Sequence, residues 1–254
     1  MNIEDRETAG RARNAEVDNA SSTFPRLEGP WPETGVLRPG GRVSARLRIV
    51  EFEGQPAVLK DYGASPALFR SVVGRLMTQR EIAAYRRLRG VEGIPRLIGR
   101  VGRDGLLLES LDGRNCLEAG DADLPASFFT GLRSILAQLR ARGVLHGDVR
   151  NNVVVTPECE PRLVDFGASF VISGVMLPFR KTVVRIAEGY NERAVLKLKR
   201  SIAPGLLTAS EVRFLARPLP FERWVRIGER IVKAVVRATC RLFERVRQDR
   251  GPWQ

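Results

Sequence analysis

Two short stretches decide how the chain is read: His146-Gly147-Asp148-Val149-Arg150-Asn151-Asn152-Val153-Val154-Val155 and Leu163-Val164-Asp165-Phe166-Gly167-Ala168-Ser169. Each sets one carboxylate at the mouth of a loop beside an apolar strand, and Asn152 lies between them, 13 residues before Asp165. Upstream, Pro125 to Arg142 has the spacing of an amphipathic helix that stops at Gly143. Before it, Arg96 to Val101 and Gly105 to Ser110 read as a hairpin-like pair, broken by Leu111-Asp112-Gly113. Residues Pro66 to Arg89 have helical spacing, with Leu68, Val72, Val73, Leu76, Ile82, Tyr85 and Leu88 as the apolar stripe and Gly90 as the stop. From Arg42 to Lys60 the pattern alternates around a Glu53-Gly54-Gln55-Pro56 turn, which predicts a β-hairpin. Downstream of Ser169 the text is mostly helical, with Pro204, Pro218 and Pro220 as breaks, and residues 1–34 show no periodicity and read as a disordered arm.

Composition bounds the partners. The chain has 254 residues, 43% of them hydrophobic, enough for a core that buries roughly 70 to 75% of the unfolded surface without a disulfide or structural metal. Cys116, Cys159 and Cys240 are odd in number and far apart, so they read as reduced thiols rather than a disulfide framework or a zinc site. The N-terminal stretch lacks a basic region followed by an apolar one, and the longest run without a charge, Phe166 to Phe179, has 14 residues against the roughly 20 of a membrane span. A cytoplasmic protein is therefore expected. With 42 Lys and Arg against 29 Asp and Glu, the net charge of +13 draws the molecule to anions such as phosphate metabolites or an anionic membrane surface. Nucleic acid is disfavoured because basic and aromatic residues do not interleave.

Phosphoryl transfer asks little covalent chemistry of a protein: a cation on the phosphates, oxygen ligands for magnesium, and a carboxylate at the attacking hydroxyl. The chain offers these in order. Lys60 ends a strand in the context Ala57-Val58-Leu59-Lys60, Glu81 follows 21 residues later on a helix, and Asp148, Asn152 and Asp165 come after. Taken alone, Lys60 is a solvated edge lysine and Glu81 a surface charge beside Arg80, Arg86 and Arg87. As an ordered set, from about Gly35 to the C-terminus, they resemble the protein-kinase-like superfamily. The resemblance implies an α+β, two-lobed fold: an N-lobe of antiparallel strands with one main helix over residues 35–108, and a mainly helical C-lobe over 109–254. It implies ATP and magnesium as cofactors. Lys60 would bind phosphate and Glu81 would orient it, Asp148 would be the catalytic base, Asn152 and Asp165 would hold magnesium, and Arg150 would stand beside the γ-phosphate. Gly40 and Gly41 would lie in the loop over the phosphates, and Glu109 to Leu111 would form the hinge that carries adenine. His146 would support its loop by packing and hydrogen bonding rather than move protons.

Three departures from the family pattern shape the expectation. Pro39-Gly40-Gly41-Arg42-Val43 replaces the glycine-rich phosphate loop, and Asn152 follows Asp148 by four residues where the family has five. Gly147 stands where regulated protein kinases carry an arginine, and no Ala-Pro-Glu triplet follows Asp165-Phe166-Gly167. This combination is more similar to bacterial lipopolysaccharide-sugar and other small atypical kinases, which implies a hydroxyl acceptor on an envelope glycolipid or sugar. A protein Ser/Thr acceptor and a catalytically silent nucleotide-binding pseudokinase are the alternatives. Residues 221–250 read as a basic amphipathic helix, with Trp224, Ile227, Ile231, Val235, Leu242 and Val246 on one stripe, which fits packing on the C-lobe and contact with anionic lipid equally.

Overall fold

The computed structural model describes residues 24–41, 44–63, 74–118, 124–172, 180–217 and 219. The architecture is α+β: a mixed six-stranded sheet, two small sheets and, among the described residues, four α-helices. The large sheet contains β1 (Arg26–Leu27), β2 (Glu33–Arg38), β3 (Arg46–Phe52), β4 (Gln55–Asp61), β5 (Leu97–Val101) and β6 (Gly105–Glu109), in the order β1-β5-β6-β4-β3-β2. All neighbours are antiparallel except β1 and β5. The helices are α1 (Arg75–Arg87), α2 (Ala126–Ala141), α3 (Arg180–Ile202) and α4 (Ala209–Ala216). No helix among the described residues is long and apolar enough to cross a membrane.

The β3–β4 hairpin forms where the alternation predicts it, but its turn is tighter. Glu53 and Gly54 both take positive φ, 50° and 73°, and Gln55 and Pro56 already belong to β4. Two successive left-handed residues match the right-handed twist of the flanking strands, which favours a two-residue loop. Strand alternation then separates two apolar layers. Ala57 and Leu59 of β4 join Val50 and Leu107 on one face, covered by Leu27, Trp31, Phe52, Ile98 and Val101. Leu106 and Leu108 of β6 face the other way, into the main core with α1 and α2.

Residues 24–34, expected within a disordered arm, are ordered instead. Phe24 is buried, β1 hydrogen-bonds to β5, and the Trp31 ring meets Phe52 edge-on at 5.8 Å. The local text is polar and aperiodic, so these few apolar anchors escape a periodicity reading. Residues 1–23 and the amphipathic segment 221–250 lie outside the described residues, as do 173–179 of the charge-free run.

Helix α1 buries Ile82, Tyr85 and Leu88 of the predicted stripe and corrects Leu76. Its buried residues are Thr78, Glu81, Ile82, Ala84 and Tyr85, continued by Leu88, whereas Leu76 is 48% exposed. Leu68, Val72 and Val73 lie outside the described residues. A carboxylate, Glu81, sits in the middle of this buried face beside its apolar residues. Helix α2 is simpler, burying Phe128, Phe129, Leu132, Ile135, Leu136 and Leu139 at helical spacing before Gly143 takes φ of 69°. The small sheets carry the two loops: β9 (Val153–Val155) lies between β7 (Arg114–Asn115) and β10 (Pro161–Leu163), while β8 (Val144–Leu145) pairs with β11 (Phe170–Val171). Helix α4 starts at a Thr208 capping box with Glu211, whose carboxylate also takes Lys199 of α3 at 2.8 Å and Arg133 of α2 at 3.2 Å.

The assigned face of α1 makes a direct prediction. Ile82→Ala is expected to lower unfolding free energy by about 2 to 5 kcal/mol, and Leu76→Ala by less than about 0.5 kcal/mol. Equal losses in equilibrium denaturation would contradict the face.

Candidate active site

Lys60 is not an edge lysine. Its strand is central in the sheet, with Leu47 of β3 on one side and Leu106 of β6 on the other. Alternation turns Lys60 away from Leu59 and toward α1, where Glu81 waits on the buried face. Lys60 Nζ donates to Glu81 Oε1 at 3.0 Å, stands 2.8 Å from Oε2, and donates to Asp165 Oδ1 at 2.7 Å. Lys60 is 3% and Glu81 0% exposed, so neither is a surface charge.

Burial without partners would neutralise these groups, since desolvation penalises the charged form. For Lys60 burial pulls the pKa down, but Glu81 and Asp165 outweigh it and hold the ammonium charged above its ordinary range. Glu81 is pushed up by burial, with Lys60 opposing. Burial also works against ionised Asp165, yet Lys60, the Gly167 N–H and Arg38 bring it down to about 2.

Asp165 is held by its backbone as well. It adopts φ of 62°, left-handed for a non-glycine residue, and its Oδ1 accepts from Gly167 N at 3.3 Å, capping the 3-10 turn Phe166–Ala168. Phe166 is fully buried, edge-on to Tyr85 at 5.1 Å and to His146 at 4.9 Å. The turn thus links α1 to the Asp148 loop.

The Asp148 loop is ordered by a hydrogen-bond set that only part of the sequence foretells. His146 Nδ1 accepts from Asp148 N at 3.2 Å, so the network assigns the proton to Nε2, which donates to Val164 O at 3.0 Å. Burial lowers the His146 pKa, consistent with a neutral support. Asn152 donates through Nδ2 to Asp148 O at 2.7 Å, and its own carbonyl accepts from Val164 N at 2.9 Å. Val164, the residue before Asp165, is therefore pinned by both of its backbone groups to the other loop. Asn151, which shares its residue type with Asn152, donates to Asp148 Oδ1 at 2.8 Å, and Asn115 of β7 supports Asn151 O at 3.0 Å. Asn115 belongs to no motif or period in the sequence, which therefore gives no sign of this contact. Gly147 is required by close approach, since a Cβ there would collide with the Ala168 carbonyl oxygen.

The remaining sequence-predicted residues divide. Glu109 ends β6 opposite Ala57, with its Oε2 accepting from Arg96 N at 2.9 Å, and Leu111 follows as a half-buried residue. Gly40 has φ of 81° and packs on the Arg46 backbone, and Gly41 closes a tight turn with Ser44, Gly41 N donating to Ser44 O at 3.1 Å. Arg42 and Val43 lie outside the described residues. Arg150 is not brought to the carboxylates: its guanidinium donates to Ser201 Oγ of α3 at 3.2 Å and pairs with neither Asp148 nor Asp165. Arg38 of β2 arrives in its stead, 3.7 Å from Asp165 Oδ2.

The oxygen donors fit magnesium. Among the described residues no three His, Cys, Asp or Glu side chains cluster as a metal cage, but magnesium is usually held by one or two carboxylates together with phosphate oxygens and waters. Asn152 commits its nitrogen to Asp148, leaving its oxygen as a donor, and Asp165 Oδ2 has no hydrogen bond.

Two outcomes follow. Because Asp165 titrates at about 2 rather than 3.8, its ionisation stabilises the fold above about pH 4, and this is lost as pH falls through 2. The contribution is on the order of 2 kcal/mol. Asp165→Asn should flatten the acid limb of a stability-against-pH curve by that amount; an unchanged limb would contradict the ion pairing. Gly147→Ala should cost about 3 kcal/mol through overpacking, read as a lowered denaturation midpoint. No family model matches the chain and no curated protein matches it, so its functional reading rests on these side chains and their geometry.

Proposed function

We propose that the protein is an ATP-dependent, magnesium-using phosphotransferase with a two-lobed kinase-like fold, which moves the γ-phosphoryl group of ATP to a hydroxyl on an envelope glycolipid or sugar. The observation that carries the reading is the buried Lys60 held between Glu81 and Asp165, with Asp148 on an ordered loop tied to the residue preceding Asp165. Structural ion pairs of this depth are a poor source of stability, because desolvation offsets the Coulomb gain. A buried cation that presents its charge beside a half-open carboxylate suits a polyphosphate instead.

Lys60 contacts the phosphates and stays charged throughout because its two carboxylates hold the proton on it. Asp148 accepts the proton of the acceptor hydroxyl as that oxygen bonds to the γ-phosphorus and the bond to the β–γ bridging oxygen breaks, releasing ADP. Asn151 keeps the Asp148 carboxylate oriented through Oδ1, leaving Oδ2 for the hydroxyl. Asn152 and Asp165 would hold magnesium, which supplies charge neutralisation on the phosphoryl oxygens. Gly147, fixed by its contact with Ala168, excludes an arginine that would read a phosphorylated loop, which favours a small-substrate role over a regulated protein kinase. The net charge of +13 suits an anionic acceptor or surface.

Purified protein should turn over ATP only with magnesium and with a glycolipid-containing membrane extract. Asp148→Ala should reduce that turnover by about 10²- to 10⁴-fold without unfolding the protein. Tight ATP binding without turnover under any acceptor would replace this reading by the pseudokinase one, and turnover unaffected by Asp148→Ala would remove Asp148 as the base.

A further inference from the structure

The sheet register sends Arg38 to a place that alternation denies it. Val36 of β2 lies opposite Arg48, in the row that continues to Leu59 and Leu107 on the outer face. Two residues later, Arg38 should share that face. A register shift between Val36 and Arg38 instead sets it opposite Leu47, the partner of Lys60. One extra residue in β2 therefore moves this arginine from the outer surface to the Lys60 face, as bulges re-aim side chains.

Once there, the arginine is underused. Its terminal nitrogen stands 3.7 Å from Asp165 Oδ2, an ionic approach too long for a hydrogen bond. Arg38 Nε is buried and has no partner. A guanidinium offers five donors in a planar fork suited to two oxygens of one phosphate, and a buried donor left unpaired is costly. The chain that follows, Pro39-Gly40-Gly41-Arg42-Val43, lacks the spaced glycines of a glycine-rich phosphate loop, and Gly41 bonds back to Ser44. Arg150 bonds to Ser201 Oγ and pairs with neither Asp148 nor Asp165.

We propose that Arg38 is a phosphate-binding residue of the nucleotide site, a side-chain clamp that turns from Asp165 to the β- and γ-phosphates of ATP. This rests on the phosphotransferase reading and names a determinant within it. Glu33 of β2 and Asp61 of β4 are engaged by Arg46 and Arg48 on the other face and leave Arg38 to the cleft.

The test is the affinity of the full chain for magnesium-ATP, ADP and adenosine by calorimetry, in wild type, Arg38→Ala and Arg38→Lys. Arg38→Ala is expected to weaken ATP by about 10- to 100-fold, the loss of a charge-assisted contact, to weaken ADP less, and to leave adenosine unchanged. Arg38→Lys, which keeps the charge but not the fork, should fall between. Equal ATP affinity in wild type and Arg38→Ala would overturn the clamp while leaving the phosphotransferase reading intact. A parallel loss for adenosine would show a structural role and overturn it too. If wild type itself binds no ATP, the phosphotransferase reading fails and takes the clamp with it.

Discussion

The arrangement depends on one ammonium group placed where water does not reach. Lys60 Nζ lies between two carboxylates from distant parts of the chain, Glu81 on α1 and Asp165 beyond β10. Removing one partner from such a buried group leaves an uncompensated charge, which is far costlier than losing a surface pair. The central strand, the helix and the turn after β10 therefore have a single relative position that satisfies all three groups. This is a constraint on geometry more than a source of stability. It explains why a helix carries a glutamate in the middle of its buried face and why Asp165 tolerates a left-handed backbone.

The two carboxylate loops are coupled more tightly than either is to the sheet. Val164 receives His146 on its carbonyl and gives its N–H to Asn152, Phe166 packs on His146, and Gly147 lies against Ala168. A displacement of one loop has to carry the other. Packed contacts of this kind behave as discrete arrangements rather than continuous ones, so the spacing between Asp148 and Asp165 is a property of the pair. The sheet meets the Asp165 turn through Lys60 and Arg38, and α1 meets it through the Tyr85–Phe166 contact.

Much of this was legible in the sequence, and the failures have physical causes. The hairpins, α2 and the order of Lys60, Glu81, Asp148, Asn152 and Asp165 follow from period, turn residues and ordered motifs. On α1 the expected Ile82, Tyr85 and Leu88 are buried, while Leu76 is exposed and Glu81 joins the buried face, because periodicity counts a glutamate as a surface residue. The place of Arg150 beside the γ-phosphate follows only from its position in a motif, and its guanidinium here meets Ser201. Arg38 was invisible because a bulge changes its face, and no pattern of residue types distinguishes a regular strand from one with an extra residue. The fold of residues 24–34 rests on single anchors, Phe24 and Trp31, that produce no period at all.

The double attachment at Val164 has a consequence for how such a site varies. Both contacts are made by its backbone N–H and C=O, so the geometry between the two loops is specified at a position whose side chain takes no part in it. Any residue that accepts extended backbone would preserve the link, and only proline, which lacks the N–H, would break it. A structural keystone can in this way sit at a position free to drift in residue type, and the surrounding motifs would record its neighbours while leaving it unmarked.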